Sequence, residues 1–276
     1  MSKDREDLET IELQLLLEGI FRHHGYDFRS YAPGSLKRRL WRRVELEGLA
    51  TLSALQDRVL HDARCLERLL ADLSINVTAM FRDPGFFLSF REKVIPLMRT
   101  YPFVRVWNAG CSTGEEVFSM AILLEEEGLG DRSRIYATDI NEHVLDKAQS
   151  GLFPLDKMRD YTRNYINSGG KKAFSEYYTV KHESASFHRS LVRQVVFSQH
   201  NLVIDRSFNE FNVILCRNVL IYFGKDLQDR VHELFFGSLA KWGILALGSK
   251  ESIKFSRHED CYKELVPVQK IYQRTA

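Results

Sequence analysis

Gly110 and Gly114 bracket a short turn, Gly-Cys-Ser-Thr-Gly, that follows the apolar run Val104-Arg-Val-Trp-Asn-Ala109 and precedes Glu115 and Glu116. An apolar strand entering a glycine-rich turn that opens a helix is where an open α/β sheet binds its ligand. Glycine lets backbone approach a bound group closely, and the helix N-terminus keeps the site electropositive. The turn lacks the lysine of a phosphate-binding loop, and Ser112 and Glu115 stand where a dinucleotide loop has its second and third glycines. The pattern therefore suits a nucleoside without phosphates. Asp139, at the end of a second predicted strand, is placed to accept hydrogen bonds from both ribose hydroxyls. An ordinary strand–helix turn with a helix-capping Asp139 would leave the same residues, so glycines alone do not establish the chemistry.

Several elements must carry these residues to one place. From Val104 onward, short apolar runs alternate with helical segments, the order of a doubly wound parallel sheet. Strands are predicted over 104–108, 134–138, 194–198, 212–216, 243–247 and 270–273, and helices over 115–128, 142–151 and 225–240. Asp83 and Pro84 read as an N-cap and first-turn proline of a helix whose Phe86, Phe87 and Phe90 face a core. Residues 1–74 show no strand pattern: Leu13, Leu16, Leu17 and Ile20, then Leu66, Leu69, Leu70 and Leu73, recur at helical spacing. Ser53 with Gln56 has the spacing of a capping box. Over 161–193 the composition shifts, with Gly169 and Gly170 at a turn and Tyr177, Tyr178, Val180, Phe187 and Leu191 loosely strand-like, which reads as a small inserted β element.

At 276 residues and 44% hydrophobic content, the chain can bury one large α/β domain and a small accessory one. Its apolar stretches are far shorter than the roughly 20 residues of a membrane-spanning helix, and the charged start, Met1 to Thr10, does not read as a signal peptide. A cytoplasmic protein without membrane insertion is expected. Cys65, Cys111, Cys216 and Cys261 form no C-x-x-C pair, and His182, His188 and His200 lack ligand spacing, so neither a disulfide framework nor a metal site is expected. A formal net charge of +2 over 28% charged residues does not imply a nucleic-acid partner.

Four segments, in order, resemble the signatures of the CheR-type chemotaxis protein-glutamate O-methyltransferases: Asn76-Val-Thr-Ala-Met-Phe-Arg-Asp-Pro84, Gly110-Cys-Ser-Thr-Gly-Glu-Glu116, Ala137-Thr-Asp139 and Cys216-Arg-Asn-Val-Leu-Ile-Tyr-Phe223. The resemblance spans nearly the whole chain. It departs at Met80-Phe81, where the family has two phenylalanines. It implies an α/β, Rossmann-like S-adenosylmethionine-dependent methyltransferase with a small all-α N-terminal domain (1–74), a methyltransferase domain (75–276) and an inserted small antiparallel β subdomain (161–193). It places Asn76, Thr78, Arg82, Glu116, Asp139, Asn201, Leu202, Asn218 and Val219 around S-adenosyl-L-methionine, together with Gly110 of the turn, and S-adenosyl-L-homocysteine as product.

By the same resemblance Arg82 and Tyr222 stand beside the transferred methyl. An ionised glutamate carboxylate can displace a sulfonium without a general base, so no catalytic histidine is needed and orientation becomes the main task. Arg82 suits holding the incoming carboxylate, and Tyr222 could donate through its hydroxyl or simply pack. No Asn/Asp-Pro-Pro string follows the fourth strand, which disfavours amino methylation.

Leu36-Lys-Arg-Arg-Leu-Trp-Arg-Arg-Val44 is the densest basic cluster, with Leu36, Leu40 and Val44 on one buried helical stripe. The resemblance turns this region toward glutamate-rich helices of a chemoreceptor cytoplasmic domain, making Arg38, Arg39, Arg42 and Arg43 candidate acceptor contacts. A solvated face neutralised by Glu45 and Glu47 is the plainer reading. RNA is disfavoured because Trp41 is the cluster's single aromatic. The alternatives left open are a cofactor-binding adaptor that has lost transfer and a methyltransferase acting on another acidic or RNA acceptor.

Overall fold

The computed structural model describes residues 3–73, 78–254 and 256–276. The chain divides into two compact units: 1–76 with 221–230, and 77–220 with 231–276.

In the first unit, helices Lys3–His24, Pro33–Leu46, Leu52–His61 and Ala63–Leu73 enclose Leu16, Leu17, Ile20, Leu36, Leu40, Val44, Leu55, Leu66, Leu69 and Leu73. The apolar periodicity thus marks the core face, since residues three and four apart share one side of a helix. The capping device differs from expectation. Thr51, not Ser53, caps Leu52–His61 by accepting from the Ala54 amide at 3.1 Å, while the Ser53 hydroxyl donates to Glu12 at 2.6 Å. Residues 221–230 join this unit through backbone pairing: the Ala32 amide donates to the Tyr222 carbonyl at 2.9 Å, and the Gly224 amide to that of Ser30 at 2.8 Å.

The second unit is built on a seven-stranded sheet. Its strands are β1 (Val104–Ala109), β2 (Ser133–Asp139), β6 (Val195–Gln199), β7 (Phe211–Cys216), β8 (Leu239–Leu247), β9 (Tyr262–Val266) and β10 (Ile271–Arg274), in the order β6-β2-β1-β7-β8-β10-β9. The first five run parallel, β10 pairs antiparallel with β8 and β9 pairs antiparallel with β10. Strand β9, Tyr-Lys-Glu-Leu-Val, escaped the sequence reading because an edge strand exposed to solvent needs no continuous apolar run. The order reverses between β1 and β7, so their carboxyl ends form the switch-point crevice of an open α/β sheet.

The insertion is a three-stranded antiparallel sheet of β3 (Leu152–Pro154), β4 (Tyr178–Lys181) and β5 (Ser184–Phe187), ordered β3-β5-β4. It begins upstream of the expected 161, contains the helix Met158–Asn167, and places Leu191 in a short helix, Arg189–Val192, rather than a strand. Glu126 anchors it to the sheet-bearing body, accepting from the Tyr165 and Tyr177 hydroxyls and the Lys171 amide while pairing with Arg91. Burial alone would raise this carboxyl, but those donors outweigh it and hold it below its ordinary range.

Candidate active site

Four loops of the sheet-bearing unit meet at the carboxyl ends of β1, β2, β6 and β7. After β1, the Gly110 and Cys111 amides both donate to the Thr138 carbonyl, at 2.8 and 2.9 Å, tying the glycine turn to the end of β2. Gly110 (φ +75°) and Gly114 (φ +92°) occupy left-handed backbone. A Cβ on Gly110 would come within 2.5 Å of Val219 Cγ2, and one on Gly114 within 2.8 Å of Ala148 Cβ. The glycines are therefore required by closeness as well as by φ.

Asp139 is 8% exposed, and its carboxylate accepts the Ser112 amide at 2.9 Å and the Asn141 amide at 3.0 Å. Burial pushes its carboxyl up, partly offset by these amides. After β6, the His200 amide donates to the Asp139 carbonyl at 3.1 Å. The Asn201 side chain closes its own turn by accepting the Val203 amide at 2.9 Å, which sets Leu202 half-buried at the turn. After β7, Val219 reaches the glycine turn at Gly110, while Asn218 (φ +62°) lies against Gly248.

The turn ahead of helix Pro84–Ser89 is strained: Phe81 (φ +49°) and Asp83 (φ +59°) are both left-handed, with half-buried Arg82 between them. Asp83 stands at the N-cap position but makes no capping bond. Its carboxylate instead accepts from Arg217 at 2.7 Å, because a buried guanidinium is the more demanding partner. Thr78 is half-buried nearby in sequence, and Asn76 lies outside the described residues.

Two residues missed in the sequence hold these loops. Arg217, whose side chain is 2% exposed, donates to Glu116 at 2.7 Å and to Asp83 at 2.7 Å, and its guanidinium carbon lies 4.0 Å from the Phe86 ring centroid. Glu116 also accepts from Asn108 at 3.0 Å, so one carboxylate joins β1, the cofactor-loop helix Glu115–Glu126 and the β7 loop. Glu251, 4% exposed, accepts the amides of Asn218, Val219, Leu220 and Gly248. Arg217 lies within the 216–223 segment, where nothing in the local pattern distinguishes it. Glu251 follows β8 with no motif around it.

In the helical unit the basic cluster splits. Arg39 and Arg43 are buried: Arg39 donates to the Leu73 carbonyl at 2.6 Å and to Ser35, and lies over the Tyr222 ring at 4.6 Å, while Arg43 pairs with Asp72 and Glu47. Both lie on the stripe of Leu36, Leu40 and Val44, so they face inward and cannot meet an acceptor as expected. Arg38 and Arg42 are exposed.

Comparison with known families decides what this arrangement is. The family model described as CheR methyltransferase, SAM binding domain, matches residues 76–268, and that described as CheR methyltransferase, all-alpha domain, matches residues 11–74. The chain belongs to the CheR methyltransferase family. A protein of Pseudomonas putida named Cher3 is 50% identical over 265 residues, covering 96% of this chain and 97% of its own. Chemotaxis protein methyltransferase 2 of Pseudomonas aeruginosa is 29% identical over 92% of this chain and 89% of its own, and the chemotaxis protein methyltransferase of Listeria innocua is 29% identical over 83% and 85%.

This CheR protein is an S-adenosylmethionine-dependent methyltransferase, and its residues fit the cofactor. The glycine turn offers a cradle that any Cβ would fill, without a cation for phosphates. A carboxylate offers about four acceptor positions, so Asp139 keeps capacity for hydroxyl donors beyond its backbone amides. Among the described residues, no cluster of His, Cys, Asp or Glu is arranged to hold a metal, and no helix is long and apolar enough to cross a membrane.

Proposed function

We propose that this CheR protein esterifies glutamate side chains on the cytoplasmic helices of a chemoreceptor. The observation that carries the reading is the strained turn presenting Arg82 from the same Arg217-linked cluster that includes Glu116 of the cofactor-loop helix. An arginine serves a carboxylate acceptor, which is already ionised and asks only to be held. His200, which adjoins Asn201, is packed against Trp107 and Phe208 with Nε2 on the Arg206 carbonyl, a structural arrangement rather than that of a base. The relatives named chemotaxis methyltransferases support the same acceptor class.

When bound, the cofactor supplies an electrophilic methyl on a sulfonium. Arg82 orients the incoming carboxylate, a task that contributes up to about 7–11 kcal/mol when reacting groups are well placed. Asp139 takes the ribose hydroxyls, Leu202 offers an apolar face to the adenine, and Thr78, Asn201, Asn218 and Val219 complete the pocket. Arg38 and Arg42, the exposed pair of the basic cluster, meet acidic receptor helices.

Labelled methyl should pass from S-adenosylmethionine to a chemoreceptor cytoplasmic fragment and leave as methanol under alkali. Arg82→Ala should lower transfer about 100-fold through lost orientation, with a much smaller fall in S-adenosylhomocysteine affinity. Base-stable label, or full transfer by Arg82→Ala, would overturn the ester or the arginine's role respectively. Asp139→Ala removes a charged acceptor worth about 1.5–3 kcal/mol per bond, so S-adenosylhomocysteine affinity measured by calorimetry should fall at least about tenfold. Unchanged affinity would remove Asp139 from the pocket.

A further inference from the structure

We propose that Asn164, on the insertion's helix Met158–Asn167, is a positioning residue for methyl transfer that sets the turn carrying Arg82. The inference rests on the role of Arg82 argued above. The Asn164 side-chain amide donates to the Met80 carbonyl at 3.1 Å, gripping the turn from the insertion side. Phe81 is held from two further directions. Its amide donates to Ser119 Oγ at 2.8 Å, and that hydroxyl donates to the Glu115 carbonyl at 2.6 Å. Its ring packs edge-on against Tyr165 and Phe174 of the insertion, with centroids 5.2 and 6.2 Å apart, and against Phe87 at 5.0 Å.

Left-handed backbone at a phenylalanine persists only where its surroundings over-determine it. Here φ is +49° at Phe81 and +59° at Asp83, so the direction in which Arg82 leaves the chain depends on those surroundings. The core supplies Ser119 and Arg217, and the insertion supplies Asn164 with an aromatic clamp. Asn164 is only half-buried and sits on a helix, where alanine is well tolerated. Its bond to Met80 is therefore a contact whose removal spares the fold yet frees one side of the turn. A misplacement of about 1 Å in a positioning group can cost about 100-fold in rate.

The test combines Asn164→Ala, the near-isosteric Asn164→Asp, Arg82→Ala and the Asn164→Ala/Arg82→Ala double variant, assayed at saturating S-adenosylmethionine and receptor fragment. Asn164→Ala should lower kcat about tenfold or more, with S-adenosylhomocysteine affinity and Tm near wild type, and Asn164→Asp should lower it further by facing an anion to the Met80 carbonyl. On the Arg82→Ala background Asn164→Ala should add nothing, because it acts only through that arginine. Multiplying losses, or a kcat unmoved by Asn164→Ala while Arg82→Ala is impaired, overturns the positioning role alone. An unimpaired Arg82→Ala overturns the reading of Arg82 itself. If wild-type protein labels no receptor fragment, amide exchange decides: faster exchange at Phe81 in Asn164→Ala supports the clamp, and unchanged exchange rejects it.

Discussion

Arg217→Ala is expected to cost the sheet-bearing unit about 3–5 kcal/mol, the usual range when one partner of a buried ion pair is removed. The Arg217 side chain is 2% exposed and lies between Glu116, 17% exposed, and the more open Asp83, 44% exposed. Most of the loss therefore comes from Glu116, left as an uncompensated carboxylate beside Asn108, with a further contribution from the guanidinium's seat over Phe86. Because Glu116 opens the cofactor-loop helix and Asp83 follows Arg82, cofactor affinity and transfer should fall with stability. Arg217→Lys discriminates the causes: one ammonium cannot serve two carboxylates through a planar fork, so it should recover only part of the loss. Adding Glu116→Gln to Arg217→Ala should restore stability relative to Arg217→Ala, since the charge left stranded is then gone. Urea unfolding of these proteins and of Glu116→Gln alone measures this, and additive losses in the double variant would show that the pair is not the source.

The central parallel strands were legible because they are buried on both faces and must be apolar runs, whereas β6 at the sheet edge is largely exposed. Val104–Ala109 and Phe211–Cys216 are nearly wholly buried, and their predicted spans lie within a residue of the observed ones. The insertion was legible as a composition shift but not in its start, because β3 is only Leu-Phe-Pro and gains its partner, β5, from far along the chain. Of the candidate pocket, the residues at strand ends were visible through turn chemistry, as with Gly110, Gly114 and Asp139. Asp83 was correctly placed at a helix start but misjudged in its bond, since a local cap competes with a partner 134 residues away. The inward turn of Arg39 and Arg43 was available from spacing: both fall three residues after a member of the buried stripe, Leu36 and Leu40. What pattern reasoning does not supply is a carboxylate such as Glu251, whose partners are backbone amides and so leave no complementary residue type to find.

Glu251→Ala is expected to be about as disruptive to the site as Arg217→Ala. Its carboxylate accepts from Asn218 at 3.0 Å, Val219 at 2.8 Å, Leu220 at 2.8 Å and the Gly248 amide, thereby fastening the loop after β7 to the loop after β8. A buried amide left without an acceptor costs about 1–3 kcal/mol. Four such donors do not add in full, because the loops will open enough to admit water, so a loss of about 4 kcal/mol with a disordered 218–220 segment is the expected compromise. Space allows no easy substitute: a Cβ on Gly248 would already meet Glu251 Oε2 at 2.7 Å, which shows how closely the acceptor and the two loops are packed. Glu251→Gln retains one acceptor oxygen but turns an NH2 group toward amides that also donate, so it should fall between wild type and alanine. Since Val219 Cγ2 stands 2.5 Å from where a Gly110 Cβ would be, movement of this loop alters the wall opposite the glycine turn. Chemical denaturation should therefore rank the proteins wild type, Gln, Ala, with S-adenosylhomocysteine affinity falling in the same order. A Glu251→Ala protein that keeps both stability and affinity would mean that the loop after β7 is held by its own turn geometry, with the carboxylate following rather than directing it.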